Sequence, residues 1–122
     1  MTQPTAPSLR IRIVFGEDAM LGPGKADLLE RIRDTGSIAA AGRSMSMSYK
    51  RAWMLVESMN AAFREPLVES NRGGAKGGGA SLTDTGAEVL VNYRKLEDIM
   101  AEAGAARISA IQSLLRDIPD GK

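Results

Sequence analysis

The stretch GSIAAAGRSMSMSYKRAW, Gly36–Trp53, decides the fold. Ser37 can cap a short helix and Ser48 a longer one, because a serine oxygen accepts a hydrogen bond from a free amide of the first helical turn. Ser46 and Met47 fill the tight turn between the two helices. Two helices joined by so short a turn predict a helix-turn-helix motif, in which the start of the second helix enters the major groove of DNA.

The second helix of this pair is predicted over residues 48–63. Its buried face carries apolar residues at helical spacing: Ala52, Leu55, Val56, Met59 and Phe63. Polar side chains at the helix start can reach base edges or phosphates. We therefore predict DNA contacts by Ser48, Tyr49, Lys50, Arg51 and Trp53, and by Arg43 on the preceding helix.

Each of these contacts has a plainer alternative. Trp53 lies off the inner face of its helix and could be partly buried at the edge of the core. Arg43 could form a surface salt bridge, and Lys50 and Arg51 could be ordinary solvated charges. The charge distribution favours a polyanionic partner: the chain has a net charge of only +1, but residues 43–76 carry six basic and three acidic side chains.

The segment before the motif predicts a small amount of sheet and one helix. LRIRIVF, Leu9–Phe15, alternates apolar and basic residues, which is typical of a half-buried strand. Its inner face would carry Leu9, Ile11, Ile13 and Phe15. Ala19–Leu21 can return as a short partner strand. KADLLERIRDT then has a helical apolar face, and Gly36 ends that helix.

A glycine-rich segment, NRGGAKGGGASLTDTG, occupies residues 71–86 between two short predicted strands, PLVES and ASL. A nucleotide-binding loop is disfavoured, because Lys76 is followed by glycine where a P-loop has Ser or Thr. A loop without function is the other alternative. We prefer a wing over residues 72–80, since glycine lets the backbone approach DNA phosphates. Its predicted DNA-contacting residues are Arg72, Gly74, Lys76 and Gly77.

Thr83 is predicted to cap a long helix that carries apolar residues on one stripe, and a second stripe follows Gly104. Soluble monomers rarely leave such a surface uncovered. We predict that a second copy of the chain covers it in a two-fold dimer, with a heterologous partner as the alternative. The predicted dimerisation residues are Val89, Tyr93, Leu96, Met100, Ile108, Ile111 and Leu115.

The composition excludes several kinds of site. The chain of 122 residues has no cysteine and no histidine, which rules out disulfides, Cys/His zinc sites and Ser-His-Asp or Cys-His catalysis. No apolar run is long enough to span a bilayer, and the first residues lack the apolar core of a signal peptide. We expect a cytoplasmic protein that is not an enzyme, needs no cofactor and binds no membrane.

Three segments together resemble the amino-terminal DNA-binding domain of the ModE family, the molybdate-responsive transcription regulators, and more distantly the LysR-type regulators. They are GSIAAAGRSMSMSYKRAW, PLVE (Pro66–Glu69) and GGAKGGGASLTDTG (Gly73–Gly86). The resemblance implies a winged helix that dimerises through its long helices and binds operator DNA. It places Ser48, Tyr49 and Lys50 at the start of the recognition helix and Gly73–Gly79 in the wing.

The sequence departs from the family pattern at three positions. Ser46 stands where the turn usually has glycine, and Ala75 moves Lys76 one place later. Gly42 replaces a usual alanine, which should weaken the short helix by up to ~1 kcal/mol. Full regulators of this family continue into a molybdate-binding module, whereas only 18 residues follow Gly104 here. We therefore expect no response to molybdate.

The sequence thus predicts a mainly α fold with a small β hairpin, a winged helix-turn-helix with a long carboxy-terminal dimerisation helix. Residues 1–104 form the predicted DNA-binding domain, and residues 105–122 a helical extension of that domain or of the dimer interface. A dimeric, sequence-specific regulator of transcription that binds duplex DNA is the preferred function. The alternatives are a winged-helix interaction module with little DNA affinity and, last, a small enzyme or oxyanion binder.

Overall fold

The computed structural model describes residues 7–74 and 77–116, with 72–74 and 77–78 described by their backbone alone. This part is mainly α, with a β hairpin between the third and fourth helices, as the sequence predicted. The helices are α1 (Pro23–Thr35), α2 (Ile38–Ser44), α3 (Tyr49–Ala62), α4 (Asp84–Ala103) and α5 (Ala105–Gln112). The strands are β1 (Ile13–Val14), β2 (Met20–Leu21), β3 (Val68–Gly74) and β4 (Gly77–Leu82).

The three predicted helix caps are confirmed. The backbone amide three residues further along donates to Ser37 Oγ at 3.0 Å, to Ser48 Oγ at 3.1 Å and to Thr83 Oγ1 at 2.9 Å. Each such bond satisfies an amide that the helix itself leaves free, and each stabilises its helix by about 1 kcal/mol. Gly36 ends α1 in the left-handed conformation, with φ 71°. Local signals in the sequence therefore fix where α1 ends and where α2, α3 and α4 begin.

The turn between α2 and α3 contains a strained residue. Ser46 has φ 61°, in the region that favours glycine, and this costs on the order of 1 kcal/mol. The amides of Met45 and Met47 both donate to the Gly42 carbonyl at 2.9 Å, which closes the turn. The departure from the family pattern at Ser46 is thus a real cost, held in place by the bonds on either side.

Gly42 has a packing role that the sequence did not indicate. A methyl group at this position would lie 2.9 Å from Ala52 Cβ, closer than carbon atoms tolerate. The expected weakening of α2 by glycine is therefore offset by a closer contact between α2 and α3. This contact brings the two helices of the helix-turn-helix together at their crossing.

The core lies between α1, α3 and the base of the hairpin. Its largest fully buried side chains are Leu28, Leu29, Ile32, Met59, Leu67 and Leu90. The predicted inner face of α3 is confirmed: Ala52, Val56 and Met59 are buried, and Leu55 and Phe63 pack against them. The opposite face of α3 is consequently the one that meets solvent.

Asn60 joins the hairpin to α3. Its Oδ1 accepts from the amide of Leu67 at 2.8 Å and from that of Val68 at 3.2 Å, and its Nδ2 donates to the Val68 carbonyl at 3.1 Å. One half-buried side chain thereby satisfies three backbone groups at the point where β3 starts. The hairpin is held directly on the carboxy-terminal part of α3.

The hairpin is also fixed at β4. Its ladder runs from Val68 opposite Leu82 to Asn71 opposite Gly79, and it shifts register beyond Asn71. The amide of Ala80 donates to the Gly36 carbonyl at 2.9 Å, so β4 rests on the α1–α2 connection. The hairpin thus has two anchors, one on α3 through Asn60 and one on the α1–α2 connection through Gly36.

The amino-terminal strands are shorter than the alternating pattern predicted. Pairing is limited to Ile13 with Leu21 and Val14 with Met20. The predicted inward position of Phe15 is wrong: the amide of Phe15 closes a turn on the Ala19 carbonyl at 2.9 Å, and its side chain is 56% exposed. Alternation alone could not show that the chain turns back before Phe15 reaches the core.

The fourth helix is bound to the first by an arginine. Arg94 pairs with Asp27 at 2.8 Å and Glu30 at 2.8 Å on α1, and with Glu97 at 3.0 Å on its own helix. Partial burial alone would lower the pKa of Arg94, but the three carboxylates reverse this and hold the pKa above its usual value.

No helix among residues 7–74 and 77–116 is long and apolar enough to cross a membrane.

Candidate nucleic-acid interface

The start of α3 presents the polar side chains that the sequence assigned to DNA. Tyr49 is 56% exposed, and Lys50 and Arg51 are exposed beside it. Ser48 is also exposed, but its hydroxyl oxygen accepts the Arg51 amide as the helix cap. Ser48 therefore shapes the helix start, while the three residues after it reach into solvent.

Further along the same helix, two large side chains lie on the outer face. Trp53 is 45% exposed, so it is both partly buried and accessible, and it follows Tyr49 by one helical turn. Met54 is 54% exposed and stands in the same relation to Lys50. Met54 was not among the DNA contacts predicted from the sequence. Its position off the Ala52–Val56–Met59 face was the signal that it points outward.

The cations of this surface are not paired with carboxylates. In the part of the chain that the structure describes, ion pairs involve Arg33 and Arg94 but not Arg43, Lys50 or Arg51. Arg43 is exposed near the end of α2. The surface salt bridge that was the alternative for Arg43 is absent among these described residues. Three positive charges of α2 and α3 thus face solvent, which is the electrostatic requirement for binding a polyanion.

The predicted wing coincides with the β3–β4 hairpin. Arg72 and Gly74 belong to β3 and Gly77 to β4. Lys76 lies outside the described residues. The strands extend further into the glycine segment than the predicted PLVES and ASL, because glycines at both ends of the tip still pair across the ladder, Gly74 opposite Gly77.

The structure describes no group of carboxylates within residues 7–74 and 77–116 that could hold a metal ion.

The predicted dimerisation residues do not all lie on one surface. Tyr93 is only 2% exposed, and its hydroxyl donates to the Ile11 carbonyl; burial raises the pKa of this phenol. Tyr93 therefore belongs to the core of its own protomer, and its assignment to an interface is corrected. Val89 packs against the same core. The buried residues of α4 are Gly86, Leu90 and Tyr93, so the core-facing side of this helix includes part of the predicted stripe.

The remaining residues of the two stripes are more accessible. Leu96 and Ile108 are half-buried, Met100 is 42% exposed, and Ile111 and Leu115 are exposed. The prediction that a helix carries the second stripe throughout is wrong, because α5 ends at Gln112 and Leu115 lies in the following turn. There the Leu115 amide donates to the carbonyl three residues back, at 3.1 Å.

Sequence reasoning missed three exposed apolar residues of this region: Val91, Ile99 and Leu114. Ile99 and Leu114 each adjoin a residue of the predicted stripes, and Val91 lies midway between Val89 and Tyr93. The signal was available, since apolar residues in α4 that fall outside its core-facing spacing must point elsewhere. The accessible apolar surface is consequently centred on the outer side of α4 and the end of α5.

No family model matches the chain. It is 39% identical over 83 residues to the molybdenum-pterin-binding protein MopA of Rhodobacter capsulatus, covering 68% of this chain and 31% of MopA. It is 40% identical over 87 residues to the transcriptional regulator ModE of Haemophilus influenzae, covering 71% of this chain and 34% of that protein.

A third relative is the DNA-binding transcriptional dual regulator ModE of Escherichia coli, which is 37% identical over 81 residues, 66% of this chain and 31% of its own length. The chain therefore spans about a third of the length of these relatives. The match lies in the amino-terminal part of this chain and confirms the resemblance that its motifs carry. The chain corresponds to an amino-terminal fragment of the ModE family of regulators.

Proposed function

We propose that this chain is the DNA-binding part of a transcription regulator and acts in the cytoplasm on duplex DNA. One observation carries the proposal: the start of α3 presents exposed aromatic side chains and cations that form no ion pair within the described residues. The relatives of this winged helix include a DNA-binding transcriptional regulator. A surface of this kind serves binding rather than turnover, so we do not expect an enzyme.

In the proposed complex, the start of α3 enters the major groove. Lys50 and Arg51 can donate to base edges, of which guanine is the commonest partner of a cationic side chain. Arg43 approaches a phosphate from α2. Trp53 and Tyr49 cover the sugar and base edges next to these contacts. Ser48 contributes through the cap that orients the helix start.

The hairpin is proposed to lie along the sugar-phosphate backbone. Arg72 and Lys76 supply positive charge there, and Gly74 and Gly77 allow the main chain to come close to phosphate oxygens. Such contacts position the protein and carry no sequence information. Replacing Arg72 and Lys76 together by alanine should therefore weaken binding to all duplexes about equally. A changed sequence preference in this variant would mean that the wing reads bases.

We further propose a two-fold dimer that places two α3 helices on half-sites about one helical turn, ~34 Å, apart. The accessible apolar residues of α4 and α5 support this arrangement, chiefly Ile99, Met100 and Ile111. A second copy of the same surface is the simplest cover for an isologous contact. Sedimentation of the chain with and without a palindromic duplex tests the proposal, and a monomer at micromolar concentration contradicts it.

The decisive experiment for DNA binding is a duplex titration at several salt concentrations. We expect affinity to fall steeply with salt, because each neutralised phosphate releases counterions. Arg43→Ala should reduce the log–log slope by about 1, because Arg43 is the proposed phosphate contact. Lys95→Ala is the matched control, since Lys95 is an exposed cation on α4, away from the proposed interface. Equal slopes for the wild type and both variants would exclude the phosphate contact of Arg43.

A winged-helix interaction module with little DNA affinity is the second candidate. The exposed side chains of Ile111, Leu114 and Leu115 favour it, because they offer a partner an apolar surface. The same titration separates the two functions. Weak binding without a steep salt dependence would favour the interaction module.

A further inference from the structure

A cleft separates the start of α3 from the base of the hairpin. Its volume is about 340 Å³, and its walls are the first turn of α2, Tyr49, and the two ladder pairs Ser70–Ala80 and Asn71–Gly79. The bond from the Ala80 amide to the Gly36 carbonyl holds β4 on the α1–α2 connection, next to the first turn of α2 that lines this cleft. The walls of the cleft are therefore helices and paired strands rather than an irregular loop.

The cleft differs in chemistry from the surfaces on either side of it. Among the described residues no charged side chain lines it; the polar groups are the hydroxyls of Ser37, Tyr49 and Ser70 and the amide of Asn71. Tyr49, Ser70 and Asn71 are exposed to solvent. Hydroxyl and amide groups of this kind are common partners of phosphate and sugar oxygens in protein–DNA complexes. The described lining residues include no carboxylate, which would repel phosphate.

The position of the cleft selects the part of DNA that could enter it. If α3 lies in the major groove and the hairpin lies along the backbone, the strand between them must cross the space that separates the two elements. That space is the cleft. A strand crossing it presents a phosphodiester and its deoxyribose, and the cleft volume is at the lower end of the range for ligand pockets, about 300–1,000 Å³.

We infer that this cleft binds one phosphodiester and the adjoining deoxyribose of the DNA strand through neutral donors, chiefly Tyr49 and Asn71. The inference rests on the proposed function and deepens it, since it assigns a backbone site distinct from the cationic contacts. A neutral donor adds affinity without neutralising a phosphate. The cleft therefore fixes the strand between helix and wing while leaving the salt dependence of binding to the arginines and lysines.

Tyr49→Phe and Asn71→Ala test this inference, with Asn92→Ala on α4 as the matched control for an exposed asparagine. Each cleft variant should lose about tenfold in affinity, the order expected for a hydrogen bond to a charged group. The loss should be the same at every salt concentration and for every duplex sequence. Tyr49→Phe keeps the ring, so circular dichroism should report an unchanged fold.

A duplex series with one neutral methylphosphonate at each position in turn gives an independent measurement. The wild type should lose affinity at the phosphates proposed for Arg43 and the wing and, in addition, at one position between helix and wing in each half-site. Asn71→Ala should lose little more at that additional position. Unchanged affinity in both cleft variants, or an altered sequence preference, overturns the cleft assignment while leaving the proposed function intact. A wild-type chain that binds duplex without salt dependence overturns the proposed function itself.

Discussion

The half of the molecule formed by α2, α3 and the hairpin differs from the half formed by α4 and α5 in what it exposes. The first exposes cations and aromatic side chains around a cleft, and the second exposes aliphatic side chains such as Ile99 and Ile111. A polyanion suits the first surface and a protein suits the second. The two proposed partners, DNA and a second copy of the chain, would therefore bind different surfaces of the molecule, and each can be tested separately.

The largest expected effect is on the stability of the fold, at the contact between α4 and the hairpin where the two halves meet. Gly86 in the first turn of α4 lies so close to the hairpin that a methyl group there would stand 2.0 Å from the Leu67 carbonyl oxygen. Gly86→Ala should therefore destabilise the fold by about 3 kcal/mol, because backbone must move on both sides. Urea denaturation measures this loss.

Gly24→Ala is the matched control for that substitution, because no atom lies within 4 Å of a methyl group at Gly24. It should change the free energy of unfolding by less than about 0.5 kcal/mol. Equal effects of the two substitutions would mean that α4 and the hairpin are not in tight contact, and the two halves would then not be held as the structure has them.

The next effect concerns DNA binding by the half formed by α2, α3 and the hairpin, which we call the polar half. Lys50→Ala should reduce binding to the best duplex by about 2 kcal/mol and relax the preference at one or two base pairs. Selection from random duplexes with the variant measures the preference, and titration measures the affinity. Lys95→Ala should leave both unchanged. If preferences are the same in the Lys50 variant and the wild type, base reading belongs to other residues.

A smaller effect concerns self-association through the half formed by α4 and α5, which we call the apolar half. Ile99→Ser and Ile111→Ser should each weaken self-association by about 1 kcal/mol, because an exposed aliphatic side chain loses its cover in the dimer. Val14→Ser is the control, since Val14 is 65% exposed on β1. Sedimentation equilibrium measures all three. A dimer that tolerates both isoleucine variants would move the interface elsewhere and leave this surface to a different protein.

The smallest expected effect is that of molybdate. We expect no change in melting temperature when molybdate is added to this chain of 122 residues, because a ligand shifts a folding equilibrium only by binding the folded state. A differential scanning fluorimetry titration measures it, with sulfate as the control oxyanion. A rise in melting temperature specific to molybdate would contradict the expectation and reveal an oxyanion site in this part of the protein.

The sequence predicted the polar half well because its signals are local. Caps at Ser37 and Ser48, and the inner face that includes Met59, follow from rules that span one or two helical turns. The cleft could not be predicted, since it depends on how the hairpin is set against α2. That placement rests on the contact of Ala80 with Gly36, whose partners are far apart in the chain.

The apolar half was predicted less well for a different reason. Apolar residues occur on several sides of α4, and periodicity alone could not decide which side meets the core. The choice depends on contacts with α1 and with the segment before β1, where the Ile11 carbonyl accepts from the Tyr93 hydroxyl. The core-facing side of α4 is thus a tertiary property, and the exposed Val91 and Ile99 fall outside the predicted stripe.

Asn60, which bonds three backbone groups at the start of β3, ties α3 directly to the hairpin. If both elements contact DNA as proposed, their spacing is set before binding. Such a protein would lose little entropy on binding and would adjust little to a groove of a different width. The duplex has to supply the adjustment, so we expect selection for base-pair steps that bend or widen easily, at positions that no side chain touches.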